Sequence, residues 1–238
     1  MNLNDPRAAV KDLLRRGDLH MLLDTAAQLH GHYCPGLAFG VKAGYAALKR
    51  LGFDNTGMEE LLAVVECNNC FVDGVQMSTG CSFGNNAMIY KDLGKTAVTI
   101  MSRKANQAVR LVLKRGGWDS EEATAKEKEA GELFRRVVKE RQDDPDAARR
   151  MRELFRELSH ETVEKPEEGL FDIGDVPVDF PEYAPIVGSA ICDRCGEQFM
   201  ETKGSILDEK PVCRQCAGVD YFAVLGRGIC VSRARVHR

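Results

Sequence analysis

Two Cys-x-x-Cys pairs, Cys192/Cys195 and Cys213/Cys216, stand near the end of the chain with seventeen residues between them. A Cys-x-x-Cys turn places both sulfurs on one side of a tight loop. Two such turns facing each other close a tetrahedron of thiolates around Zn²⁺. Four protein donors leave no open coordination position, so the spacing predicts a structural zinc site and not a catalytic one. Two disulfides are the alternative. They suit an oxidising compartment, and the opening residues MNLNDPRAAV carry no apolar run behind a basic start. No stretch approaches the roughly eighteen apolar residues of a membrane span. The reading is therefore a cytoplasmic protein whose nine cysteines serve metal or redox chemistry.

A chain of 238 residues with 44% hydrophobic content has room for one large domain, or for one medium domain and a small one. The net charge of −3 argues against nucleic acid and against a membrane surface as partners. Residues 19–30 predict a helix from the spacing of Leu19, Leu22, Leu23, Ala26 and Leu29. After a break at Gly31, a second helix is expected from Pro35 to Arg50, with Cys34 as its cap residue. Gly36, Gly40 and Gly44 recur every fourth residue and imply a closely packed neighbour: a sheet, another helix or a second subunit. Leu61–Val65 reads as a strand, Cys70–Met77 as a short helix stopped by Gly80, and Thr96–Met101 and Ala108–Leu113 as strands. Two charged amphipathic helices are expected between Glu121 and Glu168, the second starting at Asp144-Pro145. The result is a mixed α+β core domain over 1–164. A linker over 165–185 follows, carrying four of the eight prolines and a short strand near Leu170–Val176. The small zinc-finger domain and basic tail occupy 186–238.

The first half holds a second set of metal-type side chains: His30, His32 and Cys34, then Cys67, Cys70, Asp73 and Cys81. His30 and Cys34 are four apart, but Pro35 disfavours helical geometry at Cys34. One histidine joins Cys34 easily at one ion; both do so only if Gly31 turns the chain. At a helix N-terminus the Cys34 thiolate would face unpaired N–H groups, which lowers a thiol pKa and favours ligation and nucleophilicity. Cys70 follows a strand end, and Cys81 sits between Gly80 and Gly84. Singly, each cysteine reads equally well as a small buried hydrophobe; together they favour a metal or reactive-thiol site. Cys67-x-x-Cys70 as a redox dithiol is the weaker reading, because no thioredoxin-like order of elements surrounds it.

His30-Gly31-His32-x-Cys34-Pro35-Gly36, Cys70-x-x-Asp73-x-x-Gln76-x-x-x-Gly80-Cys81-Ser82-x-Gly84 and Gly94-Lys95 resemble the FmdE family. That family takes its name from FmdE of the molybdenum formylmethanofuran dehydrogenase of methanogens, and its pattern is approximately GHxCPG, CxxDxxQxxTGCTxG and GK. Ser82 replaces the usual Thr, and Cys67 falls outside the pattern. The two C-terminal Cys-x-x-Cys pairs resemble the treble-clef finger that some members append. The resemblance implies an α+β core, a homodimer, and a cleft lined by His32, Cys34, Cys70 and Cys81 that holds a metal. It brings no activity with it, since the molybdopterin chemistry of the namesake complex resides in its other polypeptides.

Three functions follow as expectations. The leading one is a metal-binding accessory protein of one-carbon or molybdoenzyme metabolism, with redox or molybdoenzyme partner subunits. Its core ion, of unknown identity beside the structural Zn²⁺, would sit on Cys34, Cys70 and Cys81 with His32 or His30. Asp73 would orient a ligand, and a small anionic molecule is a candidate guest. The second is a stand-alone enzyme on a formyl or acyl substrate, with catalytic roles for Cys34, Asp73 and Lys95, the last stabilising an oxyanion. The third is an interaction or nucleic-acid module built on the finger and on Arg227, Arg233, Arg235 and Arg238; the near-neutral whole weighs against it.

Overall fold

The computed structural model describes residues 5–53, 55–115 and 123–233. They divide into two compact units, Met1–Pro181 and Glu182–Arg238. The first unit runs α1 (Ala8–Arg16), α2 (Leu19–His30), α3 (Pro35–Leu51), β1 (Leu61–Val65), α4 (Cys70–Thr79), β2 (Met88–Tyr90), β3 (Ala97–Ser102) and β4 (Gln107–Leu113). It continues with α5 (Ala125–Phe134), a π-helical turn (Arg135–Lys139), α6 (Pro145–Glu164), α7 (Glu167–Leu170) and β5 (Phe171–Val176). The architecture is mixed α+β, as the sequence predicted.

The five strands form one sheet in the order β2-β1-β3-β4-β5. β1 and β2 are parallel and the other pairs antiparallel. Every residue of β1 is buried, which explains its unbroken apolar run Leu-Leu-Ala-Val-Val. The core between sheet and helices is built from Leu37, Val41 and Leu48 of α3, Leu62, Ile100 and Leu111 of the sheet, and Leu154 of α6. At the end of β1 the buried Glu66 carboxylate accepts from Arg110 Nε and Nη2 at 2.7 and 2.8 Å. This fork ties β1 to β4 across β3 and holds the Glu66 carboxyl below its ordinary range.

The helix ends obey local rules. Asp18 accepts from Met21 N, Thr124 and Glu127 form a reciprocal capping box, and Asp144 accepts from Ala147 N beside Pro145. Gly31 and Gly80 close α2 and α4 with φ of +89° and +77°. The expected strand near 170–176 is present, but it is not part of a linker. Phe171–Val176 pairs with β4 along its whole length and forms the sheet edge. The core unit therefore extends to Pro181, because the strand's hydrogen bonds belong to the core sheet.

The glycines at every fourth position of α3 find their neighbour in α4. A Cβ on Gly40 would lie 2.0 Å from Phe71 O and 2.9 Å from Gly74 Cα. One on Gly74 would lie 2.3 Å from Leu37 O, and one on Gly44 would lie 1.9 Å from Ser78 Oγ. The contacts advance in step, with Gly36 on Cys70, Gly40 on Phe71 and Gly74, and Gly44 on Ser78, so the two helices run parallel with backbones touching. Their N-termini lie side by side.

Among its described residues the second unit holds three hairpins: β6 (Ser189–Ile191) with β7 (Gln198–Met200), β8 (Gly204–Leu207) with β9 (Lys210–Cys213), and β10 (Tyr221–Leu225) with β11 (Gly228–Ser232). The short helix α8 (Arg214–Ala217) follows β9 directly. Its small core gathers Cys192, Val212 and Cys216 with Phe199. Of the expected basic tail, Arg235 and Arg238 lie outside the described residues.

Overpacking a well-filled contact costs about 1–3 kcal/mol, and a Cβ against unyielding backbone stands at the top of that range. Alanine in a helix interior returns about 1 kcal/mol over glycine. Gly40→Ala is therefore expected to lower stability by about 2 kcal/mol net in chemical unfolding. Equal or greater stability would contradict the backbone contact.

Candidate metal centres

Four side chains from three helix ends converge in the first unit. His30 is the last residue of α2, His32 lies in the turn, Cys34 caps α3, and Cys70 is the first residue of α4. One ligand atom from each lies within 4.8 Å of the others. The turn at Gly31 brings both histidines to one place, which a continuous helix would forbid.

The geometry assigns the His30 tautomer. Its Nδ1 is 2.7 Å from Asp73 Oδ2. A carboxylate only accepts, so in the neutral ring Nδ1 carries the proton and Nε2 is left to present its lone pair to a metal. Nε2 faces Cys34 Sγ at 3.8 Å. Bond lengths near 2.3 Å to sulfur and 2.05 Å to nitrogen give a tetrahedral S···N edge of about 3.6 Å, so this pair is spaced for one ion. His32 packs against His30 with ring centroids 4.4 Å apart. His32 is exposed, Cys34 is buried, and His30 and Cys70 lie between.

The two sulfurs divide one proton unequally. The Cys34 thiol donates to Cys70, which pulls the Cys70 thiol well below its usual range against the opposing effect of burial; His30 and His32 help. The same bond, with burial, pushes Cys34 far above its usual range, although the Leu37 and Gly36 N–H groups pull the other way. The expectation that the helix end lowers the Cys34 pKa thus reverses. The neighbouring thiolate outweighs the dipole, and the negative charge settles on Cys70. Cys34 Sγ does accept from Leu37 N at 3.4 Å, as a cap residue should. A cation would release the shared proton and bind both thiolates.

Two expected participants lie elsewhere. Cys81 follows α4, so its eleven-residue separation from Cys70 spans roughly 15 Å of helix. It is fully buried, its Sγ donates to Leu61 O at 3.5 Å, and burial pushes its thiol up to about 11. Lys95 is exposed; its backbone N–H donates to Glu66 O, and its ammonium adds to the positive field around that carboxylate. Cys67 is buried and bonds to Asn69, which caps α4 by accepting from Phe71 N.

Beside His32 opens a groove of about 430 Å³, lined among others by Asp24, Gln28, Gly31, Tyr33 and Arg152. Tyr33 OH donates to Asp24 Oδ1 at 2.8 Å, and His160 Nε2 lies 3.3 Å from the same oxygen. Sequence reasoning missed these groove residues. Tyr33 had a signal, standing between two ligand-type residues, but Arg152 is one charge among many on α6.

In the second unit, Cys192, Cys195, Cys213 and Cys216 also bring their sulfurs within 4.8 Å of one another. Cys192 and Cys195 flank the turn between β6 and β7; Cys213 ends β9 and caps α8. Cys192 Sγ accepts from Cys213 N at 3.4 Å, a contact that helps hold the Cys192 thiol below its usual range against burial, and Cys213 Sγ accepts from Cys216 N at 3.5 Å.

A family model described as FmdE, molybdenum formylmethanofuran dehydrogenase operon, matches residues 29–172, more than half of the chain. A relative from Archaeoglobus fulgidus, described as a probable S-adenosyl-L-methionine-binding protein, is 42% identical over 217 residues. The match covers 89% of this chain but 56% of that protein, so the chain spans little more than half the relative's length. A crystal structure of a tungsten formylmethanofuran dehydrogenase FmdE-like protein from Syntrophus aciditrophicus shares the fold. Its TM-score is 0.52 at 21% identity, covering 84% of this chain and 92% of that one.

The Asp73 carboxylate fixes the ring that presents Nε2. Loss of such a partner typically weakens a metal site about 10–100-fold. Asp73→Asn is expected to lower core-site affinity within that range in competition with a chromophoric chelator, leaving the C-terminal site unchanged. Unchanged core affinity would remove Asp73 from this role.

Proposed function

This chain belongs to the FmdE family, and from that premise we propose that it is a metal-binding accessory protein. The core unit holds a divalent transition ion on Cys34, Cys70, His30 and His32. The observation that carries the reading is the convergence of these four donors, with His30 Nε2 freed toward them by Asp73. Two thiolates and two imidazoles suit Zn²⁺ or a similar borderline-soft ion. The second unit holds a structural Zn²⁺ on its four cysteines, and its order of cysteine turn, hairpin and cysteine-capped helix agrees with a treble clef. The service to one-carbon or molybdoenzyme metabolism rests on the family description, and a cytoplasmic location is part of the same proposal. A homodimer belongs to the same proposal. The β10–β11 hairpin leaves Phe222 75% and Val231 64% exposed, an apolar surface that a second copy would cover.

The enzyme reading draws on one observation, the exposed His32 beside an open groove. A bound ion would supply Lewis-acid chemistry at that edge. His30, Cys34 and Cys70 would retain it from the protected side.

Metal analysis tests the proposal. The parent is expected to carry two ions per chain and Cys34→Ser one, while Cys213→Ser loses the other. Two ions in both parent and Cys34→Ser would refute the core site. Sedimentation of the same samples at the 26.4 kDa of one chain would refute the dimer.

A further inference from the structure

We infer that the groove beside His32 binds a small carboxylate, clasped by the Arg152 guanidinium and reaching the core ion at its exposed side. The inference rests on the metal reading above and names the ligand class of that site.

The arginines of α6 differ in how they are used. Arg149 pairs with Asp146 at 2.9 Å, and Arg150 pairs with Glu129 at 2.8 Å. Arg156 covers the Tyr33 ring at 5.4 Å. Arg152, which lines the groove, has no ion-pair or hydrogen-bond partner among the described residues. An unpaired guanidinium presents a planar fork that matches a carboxylate bidentately. His32, the exposed member of the donor group, lines the same groove, whereas Cys34 is buried. The groove therefore joins a free cation to the accessible side of the ion. Its volume of about 430 Å³ falls within the usual size of small-molecule sites. Gln28 adds an amide donor and acceptor on the wall.

Charge selects among anions. Asp24 shares the groove, and its Oδ1 already accepts from Tyr33 OH and faces His160. A phosphate dianion would meet this carboxylate with twice the repulsion of a monoanion. A monocarboxylate keeps the Arg152 fork at the smaller cost.

The test uses the full chain loaded with Co²⁺. The difference spectrum between wild type and Cys34→Ser isolates the core ion's bands from those of the four-cysteine site. Acetate is titrated, with inorganic phosphate as the comparison. Acetate is expected to shift the core bands saturably and at lower concentration than phosphate. Arg152→Gln is expected to raise the required acetate concentration tenfold or more, and Arg152→Lys to fall between. Metal content of two ions per chain in Arg152→Gln shows that the fold and the centre persist. Core bands that ignore acetate, equal titrations in wild type and Arg152→Gln, or tighter phosphate binding would each overturn the groove assignment and leave the metal reading standing. Absence of core bands would overturn both.

Discussion

The site depends on a contact between two backbones. Gly40 of α3 and Gly74 of α4 let the helices approach until only hydrogen fits where a Cβ would stand. Because the helices run parallel, this approach places Cys34 and Cys70 beside each other at two helix N-termini. Antiparallel packing of the same helices would have put the sulfurs at opposite ends of α4. The glycine spacing thus decides where the sulfurs are, before any property of the sulfurs matters.

Chemistry then follows from what surrounds them. Two helix N-termini offer positive potential and free N–H groups to whatever negative charge the sulfurs carry. Two adjacent thiolates would repel each other, and the Cys70 sulfur together with burial pushes the Cys34 thiol up, so the shared proton favours Cys34. A divalent ion would remove the conflict by replacing that proton with two positive charges. The third helix end supplies nitrogen donors, turned inward by Gly31 and oriented by Asp73. Backbone approach, helix polarity and a carboxylate–imidazole bond converge on one volume, while the opposite side of the group remains accessible through His32.

Much of this was legible in the chain. The helix over 19–30, the Cys34-Pro35 start, the strand over 61–65 and the Asp144-Pro145 start coincide with observed elements, because each is written in local residues. The four donors and Asp73 could be named as candidates from residue type. What the sequence left open was relation across distance. Nothing local says that the glycines of α3 face α4, that Gly31 would admit both histidines, or that Phe171–Val176 pairs with β4. Cys81 was miscast for a related reason. It shares a motif with Cys70 but stands past the far end of the intervening helix, and the rise of that helix separates them. The direction of the Cys34 shift failed because helix polarity is readable from position, whereas a second sulfur beside the first is not.

X-ray absorption at the zinc edge of the fully loaded protein tests the central claim most directly, because it counts donors around every ion at once. A four-sulfur centre and a centre of two sulfurs and two imidazole nitrogens together average three sulfurs and one nitrogen per zinc, with the multiple-scattering signature of imidazole. That average is the predicted result. Four sulfurs per zinc with no imidazole contribution would show that only the C-terminal cysteines bind, and would contradict the account of the core site.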